Sequence, residues 1–240
     1  MKGKILPKAI LFDLDDTIIS FDGGVEYAWE KTCKSFVESE NTVFNVTELL
    51  ESIQKIRNWY WSDPERHRTG RMDMIKARRE IVKAALDELY FFNQDKAYKM
   101  ADSYSKLQEE LICLFPKSIE TLEKLADLGV RMVLITNGTS EKQRWKINKF
   151  CLSGFFEYCL IEEELGFGKP DIRVFEIALQ KLHLKAEEVW MVGDNLVWDI
   201  EAPKQVGIFA VWNDFRKKGV PRDSTIIPDR IINDISELIV

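Results

Sequence analysis

Histidine is scarce in this chain, cysteine follows no pattern, and no apolar run is long. With two His, and with Cys33, Cys113, Cys151 and Cys159 forming no C-x-x-C pair, neither a usual zinc site nor a disulfide framework is expected. Thiols that stay reduced fit a cytoplasmic protein. No stretch reaches the roughly 18–20 apolar residues that a membrane-spanning helix needs, so no membrane partner is expected. After Lys2, Lys4 and Lys8 the apolar run Ala9–Phe12 ends at once in Asp13, too short for a signal peptide. Basic charge is not in excess: 34 Lys and Arg against 40 Asp and Glu give a net charge of −6 and a pI near 5.2. A non-specific nucleic-acid binder is normally basic, so no nucleic-acid partner is expected. Internal repeats and low-complexity segments are also missing. What is present is a 240-residue chain, 45% apolar, long enough for one large or two small domains and expected to act as a monomer or dimer.

Short apolar runs at 9–13, Val130–Ile135, Glu188–Val192 and Ile208–Trp212 read as strands buried on both faces. Helical stripes lie between the later runs: Ile119, Leu122, Leu125 and Ala126, stopped by Gly129, and Val174, Phe175, Ala178, Leu179 and Leu182. Such alternation predicts right-handed crossovers and a central parallel sheet, an α/β class with a Rossmann-like core. Residues 20–113 differ. Four stripes, from Val25 to Val37, Leu49 to Tyr60, Ile75 to Leu89 and Ala97 to Leu111, come without a clear strand. They predict an inserted all-helical cap domain, 20–113, between the two parts of an α/β core domain, 1–19 and 114–240. The segment Trp59–Arg71, with Pro64 and Gly70, interrupts the stripes and is expected to be a loop.

Four polar segments fall at strand ends or in turns, where open α/β sheets bind ligands. In the first, Asp13 and Asp15 are two residues apart and face the same way if the strand continues. Two such carboxylates repel unless a cation intervenes, and a hard divalent ion such as Mg2+ takes oxygen ligands. One Asp can then attack phosphorus while the other handles a proton. The plainer reading is a strand end with an Asx turn at Asp15 and Asp16. In the second, Thr136, Asn137 and Gly138 offer a hydroxyl and backbone N–H groups before a helix near Ser140, able to hold phosphate oxygens; an ordinary turn has the same composition. In the third, Lys169 lies before Pro170, which is expected at or near the first turn of a helix. It reads either as a countercharge to phosphate or as one surface lysine among many. In the fourth, Gly193-Asp194 turns off a strand and Asp199 follows in the next helix, able to reach a metal through water or to orient Lys169. Asp194 reads as a metal ligand or as a helix N-cap, while Val197 and Trp198 read as core. In the predicted cap, aromatics followed by Arg66, His67, Arg68 and Arg71 could read an anionic substrate body, or form a solvated basic turn.

The order and placement of the four segments are more specific than any one of them. They resemble D-x-D-x-T, hydrophobic-hydrophobic-Thr, a downstream Lys and G-D-x-x-x-x-D, the motifs of the haloacid-dehalogenase-like hydrolase superfamily. The insertion resembles the helical cap of its phosphoglycolate-phosphatase-like branch, and the whole-chain pattern is similar to acylneuraminate-phosphate and nucleotide phosphatases of that branch. The resemblance implies a phosphatase of a small phosphorylated metabolite. Asp13 would be the nucleophile, forming an aspartyl-phosphate, and Asp15 would protonate the leaving alcohol and then activate water. Thr136 and Lys169 would bind the phosphoryl group. Asp13, the Asp15 backbone carbonyl and Asp194 would ligate magnesium, with Asp199 supporting the site. A true dehalogenase lacks an acid at the Asp15 position, as does phosphonate hydrolysis in this family. A sugar phosphomutase keeps both Asp residues, and a non-catalytic binding protein of the same fold is the rival from another class.

Overall fold

Ala9–Phe12 form strand β1, in which no side chain is exposed, because it lies in the middle of a six-stranded sheet. The computed structural model describes residues 6–239, so Lys2 and Lys4 lie outside the described residues. Strand β4 (Arg131–Thr136) pairs with one side of β1 and β6 (Val189–Gly193) with the other, placing Leu11 between Val133 and Met191. Strand β5 (Tyr158–Ile161) lies outside β4, and β7 (Phe209–Asn213) and β8 (Arg230–Ile232) follow β6, giving the order β5-β4-β1-β6-β7-β8. Every pairing is parallel. All the carboxyl ends therefore point the same way, and the chain switches sides at β1, the place where such sheets hold ligands. Two two-residue strands, β2 (Ile19–Ser20) and β3 (Cys113–Leu114), make a separate antiparallel pair.

Helices cover the sheet between strands: α6 (Ser118–Asp127), α7 (Ser140–Lys149), the short α8 (Glu162–Leu165), α9 (Arg173–Leu182), and a π-helical turn at Leu196–Glu201 running into α10 (Ala202–Gln205). Val174, Phe175 and Ala178 of α9 pack with Leu11, Val133 and Met191, which explains their helical spacing. Helix α9 begins at Arg173, and Pro170 lies three residues before it, near its first turn as expected: the Asp171 and Ile172 carbonyls already accept from the N–H groups of Val174 and Phe175.

The described chain divides into two compact units, one running to Ser20 and resuming at Cys113, the other Phe21–Ile112. The second unit is all helix: α1 (Val25–Glu40), α2 (Val46–Ser62), α3 (Pro64–Met72), α4 (Met74–Glu88) and α5 (Gln94–Leu111). Trp29, Cys33, Leu49, Ile53, Val82, Leu86, Ala101 and Tyr104 share its core. Two sequence expectations are overturned here. Ile75 is 46% exposed and is no core member. The segment Trp59–Arg71 is the end of α2 followed by α3, not a loop. Pro64 sits in the first turn of α3, where its missing N–H costs nothing, and the Asp63 side chain caps the Arg66 N–H at 2.8 Å. Gly70, read as a breaker, lies inside that helix because an added Cβ would stand 2.8 Å from the Tyr60 ring. Among the described residues no helix is long and apolar enough to cross a membrane.

Candidate active site

Asp13 follows β1 directly, and its N–H still donates to the Val192 carbonyl at 2.9 Å, so the ladder fixes the start of the first motif. The chain then turns tightly: Asp16 takes a left-handed φ of 60°, and its N–H donates to the Ile19 carbonyl at 2.7 Å. Thr136 closes β4, 98% buried. Asp194 follows β6, and Asp199 projects from the π-helical turn beyond it. Ligand oxygens of Asp13, Asp194 and Asp199 lie within 4.8 Å of one another.

Lys169 is no surface lysine. It is 1% exposed, and its Nζ donates to Asp13 Oδ1 and to Asp199 Oδ1, each at 2.6 Å. Its backbone is clamped by Asn137, whose Oδ1 accepts from the Lys169 N–H at 2.9 Å and whose Nδ2 donates to the Lys169 carbonyl at 2.7 Å. The Lys169–Pro170 peptide is cis. Two glycines allow these approaches. An added Cβ at Gly168 would stand 2.4 Å from Asn137 Oδ1, and one at Gly193 would stand 2.3 Å from the Asp199 carboxyl carbon.

Burial and crowding set the charges. Burial pushes the Asp13 carboxyl up to about 7; Lys169 opposes this, and Asp199 and Asp15 add to it. Asp194 is raised well above the carboxylate range, first by burial and then by Asp13, Asp199 and Asp16. Burial pulls Lys169 down, but Asp13 and Asp199 more than offset it, so its ammonium is held. Three carboxylates facing one ammonium leave excess negative charge and an all-oxygen donor set. That chemistry fits a hard divalent cation.

The oxygens are not equally available. Both oxygens of Asp199 are occupied, Oδ1 by Lys169 and Oδ2 by the Asn195 N–H at 3.0 Å. One Asp199 oxygen thus holds the Lys169 ammonium and the other is spent on the backbone. Asp194 is not spent on capping, because Asn195 caps the following turn through the N–H groups of Val197 and Trp198. Trp212 Nε1 steadies the Asp194 carbonyl at 2.7 Å. The carboxylate of Asp15 lies outside the three-acid cluster and is engaged by Lys146 and Gln143 of α7.

Some predicted roles are taken by the protein itself. Glu162 Oε2 accepts the Gly138 N–H at 2.9 Å and Glu163 Oε2 the Ser140 N–H at 2.7 Å. Backbone donors expected to face a phosphate are therefore filled by carboxylates, and the Asn137 side chain is filled by its clamp. Val197, read as core, is 43% exposed. In the helical unit, Arg66 donates to the carbonyls of Trp59 and Tyr60 and lies 4.0 Å over the Trp59 ring, closing the end of α2. Arg68 forms a two-pronged pair with Glu65, and Arg71 reaches His67 at 3.5 Å. Gln143, Lys146, Glu162 and Asn195 were not singled out from sequence. For Gln143 and Lys146 a signal existed, a polar pair three apart on the helix after the Thr-Asn-Gly turn.

The chain is similar to known proteins along nearly its whole length. The glyceraldehyde 3-phosphate phosphatase of Methanocaldococcus jannaschii is 29% identical over 232 residues, covering 97% of this chain and 95% of the relative. The phosphoserine phosphatase of Thermus thermophilus is 28% identical over 248 residues, covering 96% and 97%. The solved structure of the magnesium-bound HAD-hydrolase YfnB of Bacillus subtilis shares the fold with a TM-score of 0.73 at 23% identity, covering 98% of this chain and 97% of the other. The description haloacid dehalogenase-like hydrolase matches residues 7–207, from before β1 to beyond α10, so all four polar strand ends lie within it. This chain belongs to the haloacid dehalogenase-like hydrolase family.

Proposed function

We propose that this enzyme is a magnesium-dependent phosphomonoesterase that works through an aspartyl-phosphate. The observation that carries the reading is Lys169, buried between Asp13 and Asp199 beside a third carboxylate, Asp194. A buried ammonium fixed on the attacking carboxylate can hold that carboxylate in place and neutralise phosphoryl oxygens. Asp13 attacks phosphorus, and the bond from phosphorus to the leaving oxygen breaks while Asp15 gives that oxygen a proton. Water then attacks the aspartyl-phosphate, Asp15 takes its proton, and phosphate leaves. Thr136 is assigned to a phosphoryl oxygen. Asp13, the Asp15 carbonyl and Asp194 would hold a magnesium ion, which when bound would supply charge neutralisation for the phosphoryl group. Asp15 favours this reading over dehalogenation, which attacks carbon and needs no acid at that position.

The substrate is a small phosphorylated metabolite. Two relatives are named for three-carbon phosphates, glyceraldehyde 3-phosphate and phosphoserine, and a substrate panel should begin there. Arg66, His67, Arg68 and Arg71 are assigned to the substrate's body. Arg66 closes the end of α2, whereas Arg68 and Arg71 are tied only to side chains of their own helix in the contacts described above, so these two are the positions to vary. The test is turnover of a phosphomonoester panel with magnesium and with chelator. Turnover that stops in chelator and returns with magnesium supports the reading. Full turnover in chelator, or a flat panel with the cation bound, defeats it.

A further inference from the structure

Helix α7 buries polar groups where a sheet-packed helix ordinarily buries apolar ones. Of its 10 residues only Gln143, Lys146 and Ile147 are buried, an i, i+3, i+4 stripe. Lys146 keeps 5% of its surface. Taking an ammonium out of water is costly unless it is paired, and the partner here is Asp15. The Lys146 Nζ lies 2.8 Å from Asp15 Oδ1 and 2.7 Å from Oδ2, so it straddles the carboxylate.

Gln143 converges on the same group. Its Nε2 donates to Asp15 Oδ2 at 3.2 Å and also to the Asn137 carbonyl. Its own Oε1 is buried with no partner. Flipping the amide would set that oxygen against a carboxylate and a carbonyl at once. The amide is therefore held for its donor side and bears an unmet acceptor as the cost. Asp15 has a short side chain with few rotamers, and these two donors define both of its oxygens. Through Asn137 the same network joins the clamp on Lys169.

We infer that Lys146, assisted by Gln143, is the positioning residue of Asp15, fixing the carboxyl group that exchanges the proton with the leaving oxygen and then with water. The inference rests on the acid–base role proposed above for Asp15. It concerns a residue that touches Asp15 and acts through it, as distinct from one that binds the phosphoryl group.

The test compares the wild-type protein with Lys146→Met, Lys146→Arg, Gln143→Leu, Asp15→Asn and the double variant Asp15→Asn/Lys146→Met. Each is assayed with an alkyl phosphomonoester and with p-nitrophenyl phosphate, and thermal unfolding is recorded alongside. An alkyl alkoxide needs its proton and a nitrophenolate hardly does. A misplaced acid can cost about 100-fold, so Lys146→Met should slow phosphorylation of the enzyme by the alkyl ester, read by rapid quench, by about 10- to 100-fold, with a clearly smaller fall for the aryl ester and little change in KM. Lys146→Arg should recover most of the loss, and Gln143→Leu should show a weaker split of the same sign. In the double variant, Lys146→Met should add nothing on the alkyl ester beyond Asp15→Asn, because both act through one group. Equal losses on the two esters, a change confined to KM, or full additivity with Asp15→Asn would each overturn the inference while leaving Asp15 as the acid. Asp15→Asn without any split between the esters would overturn the role of Asp15 itself, and this inference with it.

Discussion

Asp13, Asp194 and Asp199 repel one another in a site where Lys169 is the ammonium that answers them. The consequence for stability has a definite sign. A carboxyl whose folded value is raised stabilises the fold below its unfolded value and gives that up as pH rises through the folded value. For Asp13 the window runs from 3.8 to about 7, and Asp194 shifts in the same direction. Surface acids such as Glu157 and Glu164, lowered by their arginine partners Arg131 and Arg144, have the opposite slope and act at more acid pH. Between about pH 5 and 7.5 the metal-free protein should therefore lose melting temperature, and magnesium should raise it more at pH 7.5 than at pH 5. Equal stabilisation by magnesium at both ends would remove the acid cluster as the cation site. Asp194→Asn should raise the magnesium concentration needed for half-maximal activity and shrink the pH-dependent gain in melting temperature; an unchanged requirement would strike Asp194 from the ligand set. Asp13, Lys169, Asp194 and Asp199 were legible in the sequence because each follows or precedes a buried run whose end can be read. Lys146 carries only a weak signal, its spacing from Gln143, because a lysine on a polar helix looks solvated until the fold brings a carboxylate to it.

Elements were legible in proportion to how much apolar surface they bury. Strands β1, β4, β6 and β7 and the four long helices of the second unit each carry an uninterrupted run or stripe. Strands β2 and β3 have two residues each, too few for any periodicity, and in β8 Ile231 is 47% exposed. Helix α3 hides in the sequence for a different reason: Pro64 and Gly70 disfavour helix by propensity, and only their positions, first turn and close ring contact, reconcile them with one. The position of Gly70 makes a prediction with competing terms. Gly→Ala inside a helix usually gains about 0.5–1 kcal/mol. Here the new methyl would stand 2.8 Å from the Tyr60 ring and 3.0 Å from the Trp61 ring, and rings packed together cannot yield as a flexible chain end does. Overpacking of this kind costs about 1–3 kcal/mol, so it should win. Gly70→Ala should lower the denaturant midpoint of unfolding, and a higher midpoint would mean that the Trp61–Tyr60 pair moves freely. In the sheet unit, Gly193→Ala should drive the Asp199 carboxylate away and loosen its hold on Lys169. Turnover should then fall far more than stability, and an unaffected kcat would show that Lys169 is fixed by Asp13 alone.

For the molecule as a whole, the decisive fact is that one unit is sewn into the other at a single place. Ser20 and Cys113, where the chain leaves and rejoins the sheet unit, are paired across the antiparallel β2–β3 ladder, with Ile19 opposite Leu114. The Ser118 hydroxyl adds a further tie to the Ile18 carbonyl at 2.9 Å. The ends of the excursion therefore already sit as the ends of a hairpin, and a two-residue Asn-Gly turn is the natural closure for such a pair. β1 needs β4 and β6 as neighbours, and both belong to its own unit, with their own buried core. Replacing Phe21–Ile112 by Asn-Gly should therefore give a protein that unfolds cooperatively, with the circular dichroism of a mixed α/β protein and a reduced helical signal. All four polar strand ends remain in it, so it should hydrolyse p-nitrophenyl phosphate and still require magnesium. What it should lose is preference among natural phosphate esters, because the residues assigned to the substrate's body, Arg68 and Arg71 among them, go with the helices. Three measurements separate the possibilities: the unfolding transition, magnesium-dependent turnover of the aryl ester, and the spread of kcat/KM across the ester panel. A shortened protein that folds but shows the parent's spread would place selectivity in the sheet unit. One that fails to fold would show that the helical unit supports the sheet, and the division of labour between the units would have to be given up.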